Sequence, residues 1–451
     1  MSMHPRGHRP VMAVLSLAVA ACFSPLHLSA STTVVVGNCK NLVQFATIQA
    51  AVNASPSGTT IDVCPGTYAE QVKIAKALTL VGVESGTSDA AVVVPPSGGL
   101  VENGSDIFGN PVAAQIFVAA ATGRVTISNL TVDGSGNDLA GCGAPELEGI
   151  YFQNTSGEID NDVVRNQYQT DYADFGGCQN GLAINVESLT GAHTVSVSNN
   201  SVRSYQKNGI TATGAATGAD SPGPSVSISG NRIVGLAATA MNWQGVYLGD
   251  GTAAENGVQL GFGATGSIMA NTVTGNIWGQ DTSTDTGDAA SGILVFASTD
   301  ITVENNSVSS AQFGIVTVTD PTFGPADGAT IKTNNVSGTQ LFDAIDLCSN
   351  SNVAQSNVIY GSTESGVHED DSCGGTGNNN TVTSNNIHEA CAGILLGTGT
   401  GNTSSPNQFF GVTNTTLAGD VCPAAVAAAT AGESSRKHPA LRPSPYKPSR
   451  K

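Results

Sequence analysis

Charge is scarce in this chain. Asp, Glu, Lys and Arg make up 12% of its 451 residues, about half the usual share. Trp and Met are also rare, at two and five copies. A disordered chain would be more charged and less apolar, so this one folds. Its surface must be polar through Asn, Ser, Thr and Gly rather than through ion pairs. Basic residues are scarcest in the body: nine of the 17 Lys and Arg lie between residues 31 and 432, against 34 of the 35 Asp and Glu. Such a body repels nucleic acid and anionic membranes. It also repels polyanionic sugars unless a basic patch or a bound cation intervenes. No CxxC occurs, and the body holds only His193, His368 and His388, which argues against zinc and copper sites.

No apolar run is long enough to span a bilayer. The longest, Val11 to Phe23, follows a leader with Arg6 and Arg9 and reads as an export signal. Cleavage could follow Ala30 or Ala20. Val19-Ala20-Ala21-Cys22 also reads as a lipoprotein box that would anchor the chain through Cys22. Residues 1–30 are therefore set apart as a signal peptide, and a secreted, periplasmic or cell-surface location is expected. Without Cys22 eight cysteines remain, an even count that suggests disulfides in an exported chain. Neighbour pairing is the simplest of many arrangements: Cys39–Cys64, Cys142–Cys178, Cys348–Cys373 and Cys391–Cys422. Residues 423–451 turn Ala-rich, then basic with several prolines, and read as a disordered tail.

What the chain has is Gly, 54 copies, and a repeat. An apolar residue is followed three positions on by Asn or a substitute, then two further on by another apolar residue. The copies are Ile127…Leu130…Val132, Ile159…Asp162…Val164, Val197…Asn200…Val202, Ile228…Asn231…Ile233 and Ile268…Asn271…Val273. They continue as Val303…Asn306…Val308, Ile331…Asn334…Val336, Ala354…Asn357…Ile359 and Val382…Asn385…Ile387. A second element usually follows, Gly then an apolar β-former, as in Gly149-Ile150, Gly181-Leu182, Gly245-Val246, Gly292-Ile293 and Gly314-Ile315. Stacked parallel coils explain both, because like residues then lie over like. An Asn at a bend tolerates left-handed backbone, and its amide can bond the Asn of the next coil. The expectation is an all-β, right-handed parallel β-helix over 31–422. Phe45, Ile48 and Val52, at helical spacing, predict a short capping helix at its N-terminal end.

The block Thr47-Ile-Gln-Ala-Ala-Val52, Thr60-Ile-Asp-Val-Cys-Pro-Gly-Thr-Tyr-Ala-Glu70 and Leu78-Thr-Leu-Val-Gly82 resembles the start of pectin-lyase-like β-helix proteins. With the Asn repeat, the likeness covers about residues 39 to 417. It implies the fold and a carbohydrate partner, but no enzyme subfamily. Gly66-Thr-Tyr-Ala-Glu70 is similar to an early motif of pectin methylesterases. Asp106-Ile-Phe-Gly109, however, precedes Gln280-Asp-Thr282, the reverse of their order, and no Arg-Pro-Trp exists. The signature segments of polygalacturonases, pectate lyases and alginate epimerases are absent too.

Two clusters are candidate sites. Asp133, Arg165 and Arg203 hold equivalent places on adjacent coils and should form an outward ladder. Tyr168, Tyr172 and Tyr205 lie beside them, with Asp171, Asp174 and Lys207. Tyr faces stack on sugar rings and Arg forks carboxylates. The expected roles are substrate binding for Asp133, Arg165, Tyr168, Tyr172 and Tyr205. Catalysis falls to Asp171, Asp174, Arg203 and Lys207, and the aspartates are also suited to Ca²⁺. The second cluster is Asp343, Asp346, His368 and Glu369, an acid–base or cation site. The function these suggest is binding or cleavage of an extracellular polysaccharide by a monomeric lyase or hydrolase. The alternative is a non-enzymatic surface or matrix protein.

Overall fold

The computed structural model describes residues 32–86, 89–170, 180–190, 192–215, 223–235, 255–277, 288–339, 342–419, 422 and 442–443. The leader and most of the tail therefore lie outside the described residues. From Thr33 to Ala418 the chain winds as a right-handed parallel β-helix. One turn of it is Glu146–Gln153, Gly157–Asp160 and Val163–Gln167, which lie on a first, second and third face. The next turn, Leu182–Glu187, Thr194–Ser198 and Ser201–Tyr205, pairs with it strand for strand in parallel. Strands of the first two faces form one 24-stranded sheet, because Pro111–Ser128 runs from one face to the other unbroken. The third face is a 12-stranded sheet.

All nine repeat copies fall in register. Ile127, Ile159, Val197, Ile228, Ile268, Val303, Ile331, Ala354 and Val382 lie over one another on the second face. Val132 to Ile387 do the same on the third. Ile150, Ile184, Ile210, Val258, Ile293, Ile315, Ile345, Val367 and Ile394 complete the core from the first. Two first-face assignments need correction. Leu182 pairs with Glu148, and the inward residue of that coil is Ile184. Gly245-Val246 lies outside the described residues, and Gly257-Val258 holds the expected place. The glycine matters because each coil presses on the next. A Cβ on Gly292 would sit 2.8 Å from the carbonyl oxygen of Gly314, and one on Gly314 would sit 2.2 Å from that of Ala344.

The asparagine column is a hydrogen-bonded ladder. In coil after coil the main-chain N–H and the Nδ2 of one Asn both donate to the Oδ1 of the next. The run goes from Asn200 through Asn231, Asn271, Asn306, Asn334, Asn357 and Asn385 to Asn407 at 2.9–3.0 Å. Each Nδ2 also donates to a carbonyl of the preceding coil, as Asn306 does to Ile268. The left-handed backbone falls one residue earlier than expected, on Asn161, Asn199, Asn305, Thr333, Ser356 and Ser384. The column Asn is thus kept for its two-sided amide, while small or polar neighbours carry the bend. A shorter ladder of the same kind joins Asn352, Asn380 and Asn402.

The helix is Ile48–Ala54, and it buries Ile48, Ala51 and Val52 against the first coil. Thr47 caps it through Ala50 N, and Glu70 clamps the free N–H groups of Ile48 and Gln49 at 2.8 Å each. Tyr68 donates its hydroxyl to the Cys64 carbonyl at 2.8 Å. The Gly-Thr-Tyr-Ala-Glu segment therefore serves the end of the solenoid. Three of the neighbour disulfides are formed: Cys39–Cys64, Cys348–Cys373 and Cys391–Cys422. Cys142 is disulfide-bonded as well, and Cys178 lies outside the described residues. Among the described residues no helix is long and apolar enough to cross a membrane.

Candidate functional site

The Asp133–Arg165–Arg203 ladder is present in the expected register. Arg165 donates from Nε to Asp133 at 2.7 Å and from Nη1 to both oxygens of Asp89 at 3.0 Å. Asn166 adds a bond to Asp133 at 2.8 Å. Burial works against the Asp133 charge, but the bonds from Asn166, Arg165 and Ser135 outweigh it and hold the carboxyl below its usual range. The guanidinium is consumed in a structural bridge, and Arg203 alone of the pair stands exposed.

Its expected companions separate. Tyr205 turns inward into the core, where its hydroxyl accepts from Asn276 Nδ2 at 2.6 Å, so it presents no ring to a ligand. Lys207 is fully buried at the bend before the first face. Tyr168 is half-buried, with its carbonyl held by Asn137 Nδ2 at 2.8 Å. Asp171, Tyr172 and Asp174 lie outside the described residues. Tyr205 and Lys207 thus do not join the ladder in the patch that spacing suggested. The bend between faces breaks the two-residue alternation, so position beyond Arg203 no longer predicts direction.

The second cluster does assemble. Asp346 and His368 are register partners on the outward side of the first face. His368 Nδ1 lies 3.3 Å from Asp343 Oδ2, and Ser365 donates to the other Asp343 oxygen at 2.5 Å. Glu364 and Asp370 join them, and all these groups are buried. Burial opposes charge on His368, but Asp343, Asp346 and Asp370 overcome it and hold the imidazole pKa up at about 10. Burial and the neighbouring Asp370 push Asp346 well above the carboxylate range, and burial with Asp343 lifts Glu364 to about 8. Glu369, the expected fourth member, leaves the cluster: next to outward His368 on the strand, it turns to the other side, in register with Leu396, and accepts from Ser404 at 2.9 Å. His388 lies elsewhere, stacked between Tyr360 and Phe410 on the third face at 4.1 and 4.6 Å.

A third group escaped sequence reasoning. One outward column of the first face runs Phe117, Tyr151, Asn185, Thr211, Gln259, Leu294, Val316, Asp346, His368 and Leu395. Around Tyr151 it carries two buried carboxyls. Tyr151 donates to Glu187 Oε2 at 2.5 Å, and Asn185 donates to Glu148 Oε1 at 2.9 Å. Glu148 Oε2 has no partner among the described residues. Burial, then the Glu187 charge, raises Glu148 well above the usual range, and burial lifts Glu187 to about 7. The Phe117 ring stacks on Tyr151 at 5.0 Å. The segment 104–110 straps over the pair, with Ile107 N donating to Glu187 at 3.2 Å and Gln153 Nε2 to Ser105 O at 2.7 Å. Further along, Phe262, Phe296, Phe313, Phe323 and Phe342 roof Leu294 and Val316.

No protein-family model matches the chain, and no curated protein matches it. Solved structures do. A GH136 lacto-N-biosidase from Eubacterium ramulus superposes with a TM-score of 0.58 at 11% identity, covering 84% of this chain and 67% of that one. The Dettilon tailspike protein superposes with a TM-score of 0.53 at 17% identity, covering 78% of this chain and 62% of that one. The fold is that of a pectin-lyase-like right-handed parallel β-helix. At these identities the likeness fixes architecture alone, and this β-helix spans under two thirds of the tailspike's length.

Proposed function

We propose that this β-helix is an exported, carbohydrate-processing protein that uses Glu148 and Glu187 as an acid–base pair on its first face. The observation that carries the reading is one buried place holding two carboxyls, Glu187 bonded by Tyr151 and Glu148 by Asn185, with the pKa of both raised by burial. Glycosidic bonds are cleaved by such pairs, one carboxyl giving a proton to the leaving oxygen while the other activates water or attacks. Glu148, whose Oε2 has no hydrogen-bond partner among the described residues, is the proton donor, and Glu187, bonded by Tyr151, the base. Tyr151 and Phe117 offer flat apolar rings beside them. The strap at 104–110 must lift for a sugar to enter. The strongly acidic body favours neutral glycans over polyuronates. Disulfides suit an oxidising compartment outside the cytosol.

The test is a hydrolase and lyase screen on neutral and acidic polysaccharides, with glycan-array binding, on the chain from residue 32. Glu187→Gln and Glu148→Gln should each lower turnover by about 100-fold or more while circular dichroism stays unchanged. No binding and no turnover on any glycan would remove the proposal. A second reading, a non-enzymatic surface or matrix protein, draws support from Arg165 and Tyr205, whose polar groups are spent on the fold itself. Activity that survives both substitutions would favour a different site.

A further inference from the structure

The C-terminal cluster of the first face packs several carboxyls around a single basic group. Asp343, Asp346, Glu364 and Asp370 gather around one imidazole, and each is at most 6% exposed. Asp346 and His368 lie six and seven coil spacings from Tyr151 along the column, roughly 30 Å away. The acid pair there cannot neutralise this cluster. Burying carboxylates without a counter-charge is expensive. Cys348 and Cys373 are joined to each other, so they offer no thiolate.

Ligand atoms of Asp346, His368 and Asp370 lie within 4.8 Å of one another. Two buried atoms in that group have no partner among the described residues, Asp346 Oδ1 and His368 Nε2. The other imidazole nitrogen faces a carboxylate, Asp343 Oδ2 at 3.3 Å, and Asp343 is itself held by Ser365. A carboxylate behind one ring nitrogen, with the second nitrogen left open, is how metal-binding histidines are oriented. The Cys348–Cys373 disulfide borders the turn that carries Asp370, and Ser372 fixes that carboxylate through its N–H at 2.7 Å and its hydroxyl at 3.0 Å.

We propose that Asp346, His368 and Asp370 bind a divalent transition-metal ion, with Asp343 orienting His368. An imidazole nitrogen beside two carboxylate oxygens suits Zn²⁺ or Mn²⁺ better than Ca²⁺, which takes six to eight oxygens. Three protein ligands leave a coordination position for water or a ligand oxygen. The proposal stands independently of the Glu148–Glu187 pair.

The experiment is isothermal titration of the chelator-treated full chain with ZnCl₂, MnCl₂ and CaCl₂, each in a non-coordinating buffer. One equivalent of Zn²⁺ or Mn²⁺ should bind, and Ca²⁺ should bind more weakly. Asp343→Asn should weaken binding by about 10- to 100-fold, and Asp346→Asn and His368→Gln should weaken it at least as much. His388→Gln should leave it unchanged. Metal-free melting curves identify any variant that fails to fold, and Asp346→Asn, the least disruptive change, then decides. Titrations showing no binding, Ca²⁺ preferred, or Zn²⁺ and Mn²⁺ binding indifferent to Asp346→Asn would overturn the assignment.

Discussion

Asp162 stands in the asparagine column where an amide belongs. Its Oδ1 accepts from Leu130 N at 2.8 Å, as every column Asn accepts from the coil before. Its Oδ2 occupies the place of an Nδ2 and has no hydrogen-bond partner. The next column residue shows what that place faces. Asn200 Nδ2 donates to the Ile159 carbonyl and to Asn231 Oδ1, both acceptors. By ladder symmetry Asp162 Oδ2 faces the Ile127 carbonyl and Asn200 Oδ1, so a carboxylate there meets oxygen on every side. Burial drives its pKa well above the usual range.

Asp162→Asn should therefore stabilise the protein. An unsatisfied buried polar group costs about 1–3 kcal/mol, and the amide would fill the gap with two donors. The sign depends on pH. In the unfolded chain Asp162 ionises near its ordinary value, while in the fold it keeps its proton to higher pH. Stability from this site is full below the unfolded pKa and falls as pH rises toward the folded one. The Asn variant lacks that loss. Its advantage should be small near pH 4 and grow to about 1–3 kcal/mol by pH 8. Urea unfolding of both proteins at four or five pH values would measure it. A variant less stable than wild type at pH 8, or a gap that does not change with pH, would refute the reasoning.

Three further outcomes follow from the same geometry. Asn306→Ala strips an amide bonded to Asn271, Asn334 and Ile268, and denaturant unfolding should show a loss on the order of 3 kcal/mol; a loss within error would deny the ladder its stabilising role. Gly292→Val should prevent soluble expression or collapse near-UV dichroism, since even a Cβ would come within 2.4 Å of Val308 Cγ1. Glu187, raised to about 7 by burial, contributes stability below the unfolded value that is lost as pH climbs from about 4.5 to 7. That loss is worth about 3 kcal/mol. Glu187→Gln should flatten this part of the stability–pH curve, and a curve identical to wild type would contradict the burial argument.

The coils were legible because a stack repeats its inward residues. Nine short segments with one internal spacing specify two faces almost to the residue. The first face was harder to read. Ala183 replaces the marker glycine in one coil, and Gly257-Val258 sits far along an insertion, so Gly181 and Gly245 drew the pattern away. Asp346 and His368 were found by the right signal, the position one past the inward apolar residue. The same position in earlier coils gives Tyr151 and Asn185, and Glu187 follows two residues later. They were missed because an outward residue on a strand ordinarily meets water. Here the strap at 104–110 and the phenylalanine roof bury it, and no periodicity within a strand records what a distant loop covers. Tyr205 failed for the complementary reason, being on a bend where alternation stops.

The amide ladder also has consequences for length. Every link is the same, one side chain accepting from the coil before and giving to the coil after, and Asn407 closes the run on its own neighbours through Val382 O and Ser404 O. Nothing in such a chain of identical joints counts how many there are. A duplicated 28-residue unit spliced between Asn306 and Asn334 would meet the same donors, acceptors and apolar shelves as the original. The rod could lengthen by gene duplication in steps of about 4.8 Å without either terminal region having to change.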